Sequence, residues 1–303
     1  MLSYLKLFLA LSRTSHALLD IAAPCLAALV WLNVFPPVRI MVLGIGTALA
    51  GYLAVYALND VVDFRLDREK ARSNFPAAAI DDLDALYVRH PMAHGLLSLR
   101  EGLVWTAVWA LLALAGAFLL NPACVLIFML SIILEILYCR MLQVSHLRII
   151  ISGVVKTLGG VAAVFAVDPR PSISFLIILF LWLFFWEAGG QNIPNDLIDV
   201  DEDTQLNAKT IPVQFGPGGA RMIILASLVA AVIMNMILLG MRAVPHGAVL
   251  MIGGAVIGTY FLLIPGYRLY ALKTRLQAAQ LFNRASYYPL AMLVMVAVHM
   301  LLI

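Results

Sequence analysis

Apolar residues in this chain gather in long blocks instead of alternating with polar ones. The blocks fall at about 15–34, 38–58, 98–119, 122–138, 148–167, 173–192, 220–240, 246–265 and 284–302. Each spans roughly 18 to 25 residues, enough to carry a helix across about 30 Å of hydrocarbon. The pattern predicts an all-α integral membrane protein, a bundle of about nine transmembrane helices in a single domain over residues 1–303. The first dozen residues place Lys6 beside a short apolar run. More membrane helix follows them rather than a cleavage site, so they read as a leading interfacial helix.

The breaks between blocks are of two kinds. Phe35-Pro36-Pro37, Asn121-Pro122, Asp168-Pro169-Arg170-Pro171 and Pro245-His246-Gly247 carry the chemistry of tight turns and lie on one side of the bundle. The longer connections, about 60–97, 139–147, 195–220 and 266–283, lie on the other. With the amino terminus on that second side, most of the basic residues collect there, while the turn side carries only Arg39, Arg170 and Arg242. Basic loop residues are retained in the cytoplasm, so the asymmetry predicts a cytoplasmic amino terminus and cytoplasmic long loops, in keeping with a cell inner membrane.

Composition agrees with this picture and narrows the function. Hydrophobic residues make up 63% of the chain and charged ones 12%, and the mean hydropathy of +0.97 lies far from soluble values. A single anchor attached to a soluble domain is excluded. The net charge of +3 is small and its basic residues are interleaved with acidic ones, which argues against a nucleic-acid partner. Cys25, Cys124 and Cys139 sit in apolar surroundings without C-x-x-C spacing and read as packing residues.

Against this apolar background one acidic pattern occurs twice. The second block ends in Asn59-Asp60-Val61-Val62-Asp63-Phe64-Arg65-Leu66-Asp67, and the sixth in Asn195-Asp196-Leu197-Ile198-Asp199-Val200-Asp201-Glu202-Asp203. If each N-D-x-x-D-x-x-x-D motif continues its helix, its Asn and three acids fall within about 100° of arc and form one oxygen-rich face. Carboxylates so concentrated repel one another, and a bound divalent cation removes that cost. Mg²⁺ suits such a site because it favours carboxylate, water and phosphate oxygens in octahedral geometry. The two copies divide the chain into pseudo-repeated halves.

In these motifs and their placement the sequence resembles the UbiA superfamily of intramembrane prenyltransferases, whose members carry such motifs after the second and sixth of nine helices. Lys209-Thr210-Ile211-Pro212-Val213-Gln214-Phe215-Gly216 is similar to the family's K-T-x-P-x-x-x-G segment. One departure concerns the Arg-Pro-Leu and small-Gly element that usually follows the first motif. Its nearest equivalent, Arg89-His90-Pro91-Met92-Ala93-His94-Gly95, is delayed by an insertion containing Asp81, Asp82 and Asp84.

The resemblance implies transfer of an isoprenyl group from an allylic polyprenyl diphosphate to a hydrophobic acceptor, in a central cavity opening to the cytoplasmic side. Ionisation of such a donor requires stabilisation of its leaving group, which two Mg²⁺ held between facing Asp clusters supply. Asp60, Asp63, Asp67, Asp196, Asp199 and Asp203 are the expected metal ligands. The resemblance adds Asn59 and Asn195, which otherwise read as helix-end hydrogen bonders. Phosphate oxygens left free by the metal need cations, for which Arg68, Lys70, Arg72, Arg89 and Lys209 lie near the motifs. Each has the alternative of being a plain loop charge. Phe180, Phe184, Phe185 and Trp186 are candidate cavity walls, with lipid-facing packing as the alternative.

Ionisable residues at membrane depth are costly and carry either function or helix pairing. Asp20, Glu135, Lys156 and Glu187 are of this kind, and Lys156 is expected to find a partner in Glu135 or Glu187 or to recognise the acceptor. Glu187, Gln191 and Asn192 form a polar face leading from the second motif into the bundle. Arg13 and Asp20 are seven residues apart on the first helix, and the resemblance brings Arg13 and Tyr138 near the substrates. No residue declares itself as the base. An aromatic or quinone precursor is the favoured acceptor, with a lipid alcohol, tetrapyrrole or phosphosugar as alternatives. A divalent-cation transporter, the competing class, would carry its carboxylates near mid-membrane at broken helices. A soluble chain-elongating enzyme has no use for nine lipid-length blocks.

Overall fold

The computed structural model describes residues 2–72, 88–241 and 247–302, and regular structure within them is helical. Asp81, Asp82 and Asp84 of the insertion, Arg242, Pro245 and His246 lie outside the described residues, as does the side chain of Arg72. The helices are α1 (Leu2–Leu11), α2 (Thr14–Asp20), α3 (Ala22–Leu32), α4 (Val38–Arg72), α5 (Leu99–Leu120), α6 (Pro122–Arg140) and α7 (Arg148–Val167). They continue with α8 (Ile173–Trp186), α9 (Ile193–Ile198), α10 (Val200–Gln205), α11 (Ile211–Gly240), α12 (Gly247–Gly258), α13 (Ile264–Leu272) and α14 (Arg275–Leu302). Among the described residues they supply nine segments long and apolar enough to cross a membrane.

The expected blocks sit inside these segments, and the helices overrun them at polar ends. The second crossing runs to Ala71 rather than 58 and the ninth starts at Arg275 rather than 284, because helical hydrogen bonding continues where hydropathy falls away. Local signals mark several starts. A capping box of Ser98 and Glu101 opens α5, and Asn121 caps α6 ahead of Pro122, accepting from Ala123 N at 2.9 Å. At the amino end, Arg13 adopts a left-handed conformation (φ 41°) that separates α1 from α2.

The sixth and eighth crossings share one device. Each contains a π-helical turn, Glu187–Asn192 and Thr259–Leu263, followed at once by Ile193-Pro194 or Ile264-Pro265. A proline lacks the N–H owed to the carbonyl four residues back and its ring collides with that carbonyl, so a wider turn just before it relieves both conflicts.

The main core lies between α3, α8, α11 and α14, around Trp182, Trp186, Leu228 and Tyr288. Trp182 Nε1 donates to Tyr288 Oη at 3.2 Å and Trp186 Nε1 to the Ala285 carbonyl at 2.9 Å, so both buried indoles are satisfied. Small residues let the helices approach. A Cβ on Gly189 would lie 3.0 Å from the Ile224 carbonyl oxygen, which brings the π turn directly against α11. At the end of the bundle away from the motifs, Trp31 Nε1 donates to Asp168 Oδ2 at 3.1 Å and Asn121 Nδ2 to the Phe165 carbonyl at 2.8 Å.

Candidate active site

The first motif lies wholly on α4, where its four residues share a face as expected. The second does not stay on one helix. It starts on α9, breaks at Asp199 (φ −97°, ψ 14°) and ends on α10, so the single continuous face expected of it is corrected to two short helices meeting at the middle aspartate.

Both motifs line one cavity of about 620 Å³, and all eight motif residues are in its wall. Asp60, Asp67, Asp196 and Asp203 are buried. Asn59 Nδ2 donates to Glu135 Oε1 at 2.8 Å, which fixes the amide. Glu135 therefore belongs to the motif's support and not, as one expectation had it, to Lys156.

Cations lie within ion-pair distance of acids in and beside the motifs. Arg13 Nη2 lies 3.7 Å from Asp60 Oδ1, Lys70 Nζ lies 3.5 Å from Glu202 Oε1, and His90 Nδ1 is 3.1 Å from both Asp60 Oδ1 and Asp67 Oδ2. Burial alone would lower the His90 imidazole, and the facing carboxylates of Asp60 and Asp67 overcome it and raise it to about 10. Burial pushes the Asp203 carboxyl up to about 6 with Lys70 opposing, and raises that of Asp199 against Arg89 and Lys70. Burial likewise lowers the Arg89 guanidinium, with Asp199 opposing. Buried acids crowded to this degree are short of positive charge, and the oxygen-rich donor set suits a hard divalent cation.

Sequence reasoning missed His90, which reaches the first motif from a loop with no spacing to betray it. Nor does it single out Arg148 among the many basic residues on the side of the long connections. Arg148 is buried at the start of α7, lines the cavity and stacks 4.1 Å from the centre of the Tyr138 ring. The Tyr138 hydroxyl in turn accepts from Asn192 Nδ2 at 3.0 Å.

The chain matches the model of the UbiA prenyltransferase family over residues 21–288. It belongs to that family. Solved structures share the fold of this UbiA-family chain at low identity. A UbiA homolog from Aeropyrum pernix K1, in its apo form, is 20% identical with a TM-score of 0.75, over 94% of this chain and 98% of that one. A UbiA homolog from Archaeoglobus fulgidus, bound to DMAPP and Mg²⁺, is 17% identical with a TM-score of 0.68, over 95% and 99%. A structure of digeranylgeranylglyceryl phosphate synthase is 17% identical with a TM-score of 0.63, over 99% and 100%. Curated protein sequences yield no significant match.

Other expected residues of this UbiA-family site divide into two groups. Arg13, Lys70, Arg89, Tyr138, Lys156, Glu187, Gln191 and Asn192 line the cavity. Arg68 and Lys209 do not: Arg68 is exposed with its guanidinium 6.0 Å from the Phe64 ring centre, and Lys209 contributes its backbone N–H to the Leu142 carbonyl at 2.7 Å. Phe180, Phe184, Phe185 and Trp186 also stay out of the wall, which takes its aromatic rings from Phe35, Tyr52, Tyr56, Phe128, Tyr138 and Phe282. Helix packing claims the α8 rings, as where Phe184 covers Gly153.

Below the motifs lies a second polar layer. Lys156 Nζ is 2.5 Å from Asp20 Oδ2, 3.0 Å from Tyr56 Oη and 4.0 Å from Glu187 Oε2, and the Tyr56 hydroxyl donates to Asp20 as well. The main partner of Lys156 is thus Asp20 of α2. Arg13 and Asp20 do not act as one helix face, since Arg13 reaches Asp60 and Asp20 reaches Lys156. Next to them His16 Nε2 is 3.2 Å from Gln191 Oε1, and Ser152 Oγ donates to Glu187 Oε1 at 3.1 Å. Among the described residues, Glu187 Oε2 and Asn192 Oδ1 are buried acceptors that meet no hydrogen-bond donor.

Proposed function

We propose that this chain transfers an isoprenyl group from an allylic polyprenyl diphosphate to an aromatic or quinone precursor, with Mg²⁺ as cofactor. The observation that carries the proposal is the meeting of two acid motifs, far apart in sequence, on one membrane-embedded cavity. Asp60, Asp63, Asp67, Asp196, Asp199 and Asp203 would hold the metal with Asn59 and Asn195, and their hard oxygen donors fit it. When bound, Mg²⁺ offsets the negative charge that develops on the departing diphosphate.

The protein's own residues do the rest. Arg13, Lys70, Arg89 and Arg148 stand around the acids and supply cationic hydrogen-bond donors to phosphate oxygens. Arg72 remains a candidate for the same task. The apolar helices keep water from the allylic carbon. The rings of Tyr56, Tyr138 and Phe282 border the polar layer and offer faces to a planar acceptor, while Glu187 Oε2, ion-paired to Lys156, and Asn192 Oδ1 are placed to accept a hydrogen bond from its hydroxyl. As the new bond to the acceptor forms, the carbon–oxygen bond to diphosphate breaks, its electron pair leaves with diphosphate, and the proton that the acceptor gives up passes to the released diphosphate. Helix-end acids in place of mid-membrane ones, together with family membership, favour this reading over a cation transporter.

Purified protein in lipid is expected to release diphosphate when given an allylic donor, an aromatic acceptor and Mg²⁺, with a prenylated product found by mass spectrometry. A chelator is expected to stop it. If no donor and acceptor pair yields product in Mg²⁺, the proposal fails.

The basic side of the bundle carries the motifs, so we place the amino terminus and the cavity mouth in the cytoplasm. Single cysteines at Thr204 and Ser172, both exposed and at opposite ends, check this. Impermeant thiol reagent added outside intact cells is expected to label Ser172→Cys alone, and labelling of Thr204→Cys alone would reverse the topology.

A further inference from the structure

The cavity does not stop at the polar layer. It follows α4 from Lys70 back to Ile40 and reaches Phe35, Leu120 and Val167, at the opposite end of the bundle from the motifs. From Asp60 to Gly51 is nine residues and to Gly44 sixteen, and because α4 is continuous these positions lie about 14 Å and 24 Å below Asp60. The far end, beyond Val38, lies about 33 Å below it.

Glycine serves different purposes along these helices. At Gly116, Gly153 and Gly160 an added Cβ would sit 2.0, 2.5 and 2.5 Å from a neighbouring side chain, so those glycines allow close packing. Gly44 and Gly51 are different. A Cβ on Gly44 would meet nothing within 4 Å, and one on Gly51 would meet only the Phe128 ring, at 3.5 Å. Both line the cavity, so what their missing side chains leave open is cavity space. Gly46 has the same open surroundings but is exposed and outside the cavity wall.

We infer that the donor is a long-chain polyprenyl diphosphate whose tail runs inside the bundle along α4, and that Gly51 and Gly44 are the positions that let it pass. The inference rests on the donor reading above and adds to it the length and route of the tail. An extended isoprene unit adds about 5 Å, so on the helix rise the tail passes Gly51 near its third unit, Gly44 near its fifth, and fills the channel at about six or more.

The test is a comparison of kcat/KM for all-trans allylic diphosphates of two, three, four, six and eight units, with wild type and with Gly51→Phe, Gly44→Phe and Gly46→Phe. Wild type is expected to prefer donors of six units or more. Gly51→Phe is expected to lose about tenfold or more on donors beyond three units, Gly44→Phe on donors beyond five, and Gly46→Phe to match wild type throughout. Gly51→Leu and Gly44→Leu give the same order with smaller plugs if a Phe variant does not fold, and turnover of the two-unit donor shows that a variant is folded. If wild type is indifferent to length, or both plugs leave the six- and eight-unit donors unaffected, the tail leaves sideways into lipid and the inference is overturned. If wild type releases diphosphate from no donor of any length, it is the donor reading itself that fails.

Discussion

Replacing Asp63 or Asp199 with Ala is expected to lower prenyl transfer by at least about a hundredfold, the scale on which removal of a group that stabilises developing charge acts. These are the middle acids of the two motifs, one on the continuous helix α4 and the other at the junction of α9 and α10, and both face the same cavity. Loss of either leaves one side of the diphosphate with fewer metal oxygens, so the effect is expected to be as severe from one motif as from the other. Diphosphate release at saturating donor gives the rate, and titration with Mg²⁺ should show weakened metal dependence in the same variants. Wild-type turnover by either variant would remove that motif from the metal site.

The second large effect concerns stability. Lys156→Met is expected to cost about 3–5 kcal/mol, because it leaves Asp20, which is 2% exposed, as an uncompensated charge beside Glu187 in the bundle interior. Tyr56 donates to the same Asp20 carboxylate and does not replace the cation. The measurement is thermal unfolding of purified protein in one fixed detergent. Lys156→Met combined with Asp20→Asn is expected to recover part of the loss, since removing both charges costs less than stranding one. A double variant no more stable than the single one would show that Lys156 holds the fold by some other contact.

How far these sites could be read from the chain depends on the range of the interaction involved. The nine crossings found among the described residues and the helical first motif rest on residues within a few positions of one another, and spacing along the chain reports them directly. Repetition of N-D-x-x-D-x-x-x-D singled out the metal acids for the same reason. Repetition did not carry over to backbone shape, however. The two motifs have one pattern and two conformations, because Pro194 and the π turn before it precede only the second.

Partner choice was out of reach in the same way. Lys156 had three acids at membrane depth to choose from, and it pairs most closely with Asp20, 136 positions away, because α2 and α7 both border the cavity. Arg148 had the address of a loop charge and the burial of a core residue. His90 follows an insertion and yet stands between Asp60 and Asp67. Hydropathy and short-range periodicity were enough to establish a helical membrane protein with two oxygen-rich motifs, since lipid imposes length and apolarity on each segment separately. That the motifs share one cavity, which cations serve them and how far the channel runs were settled by helix packing alone, because interdigitating side chains from distant segments leave no periodic trace along the chain.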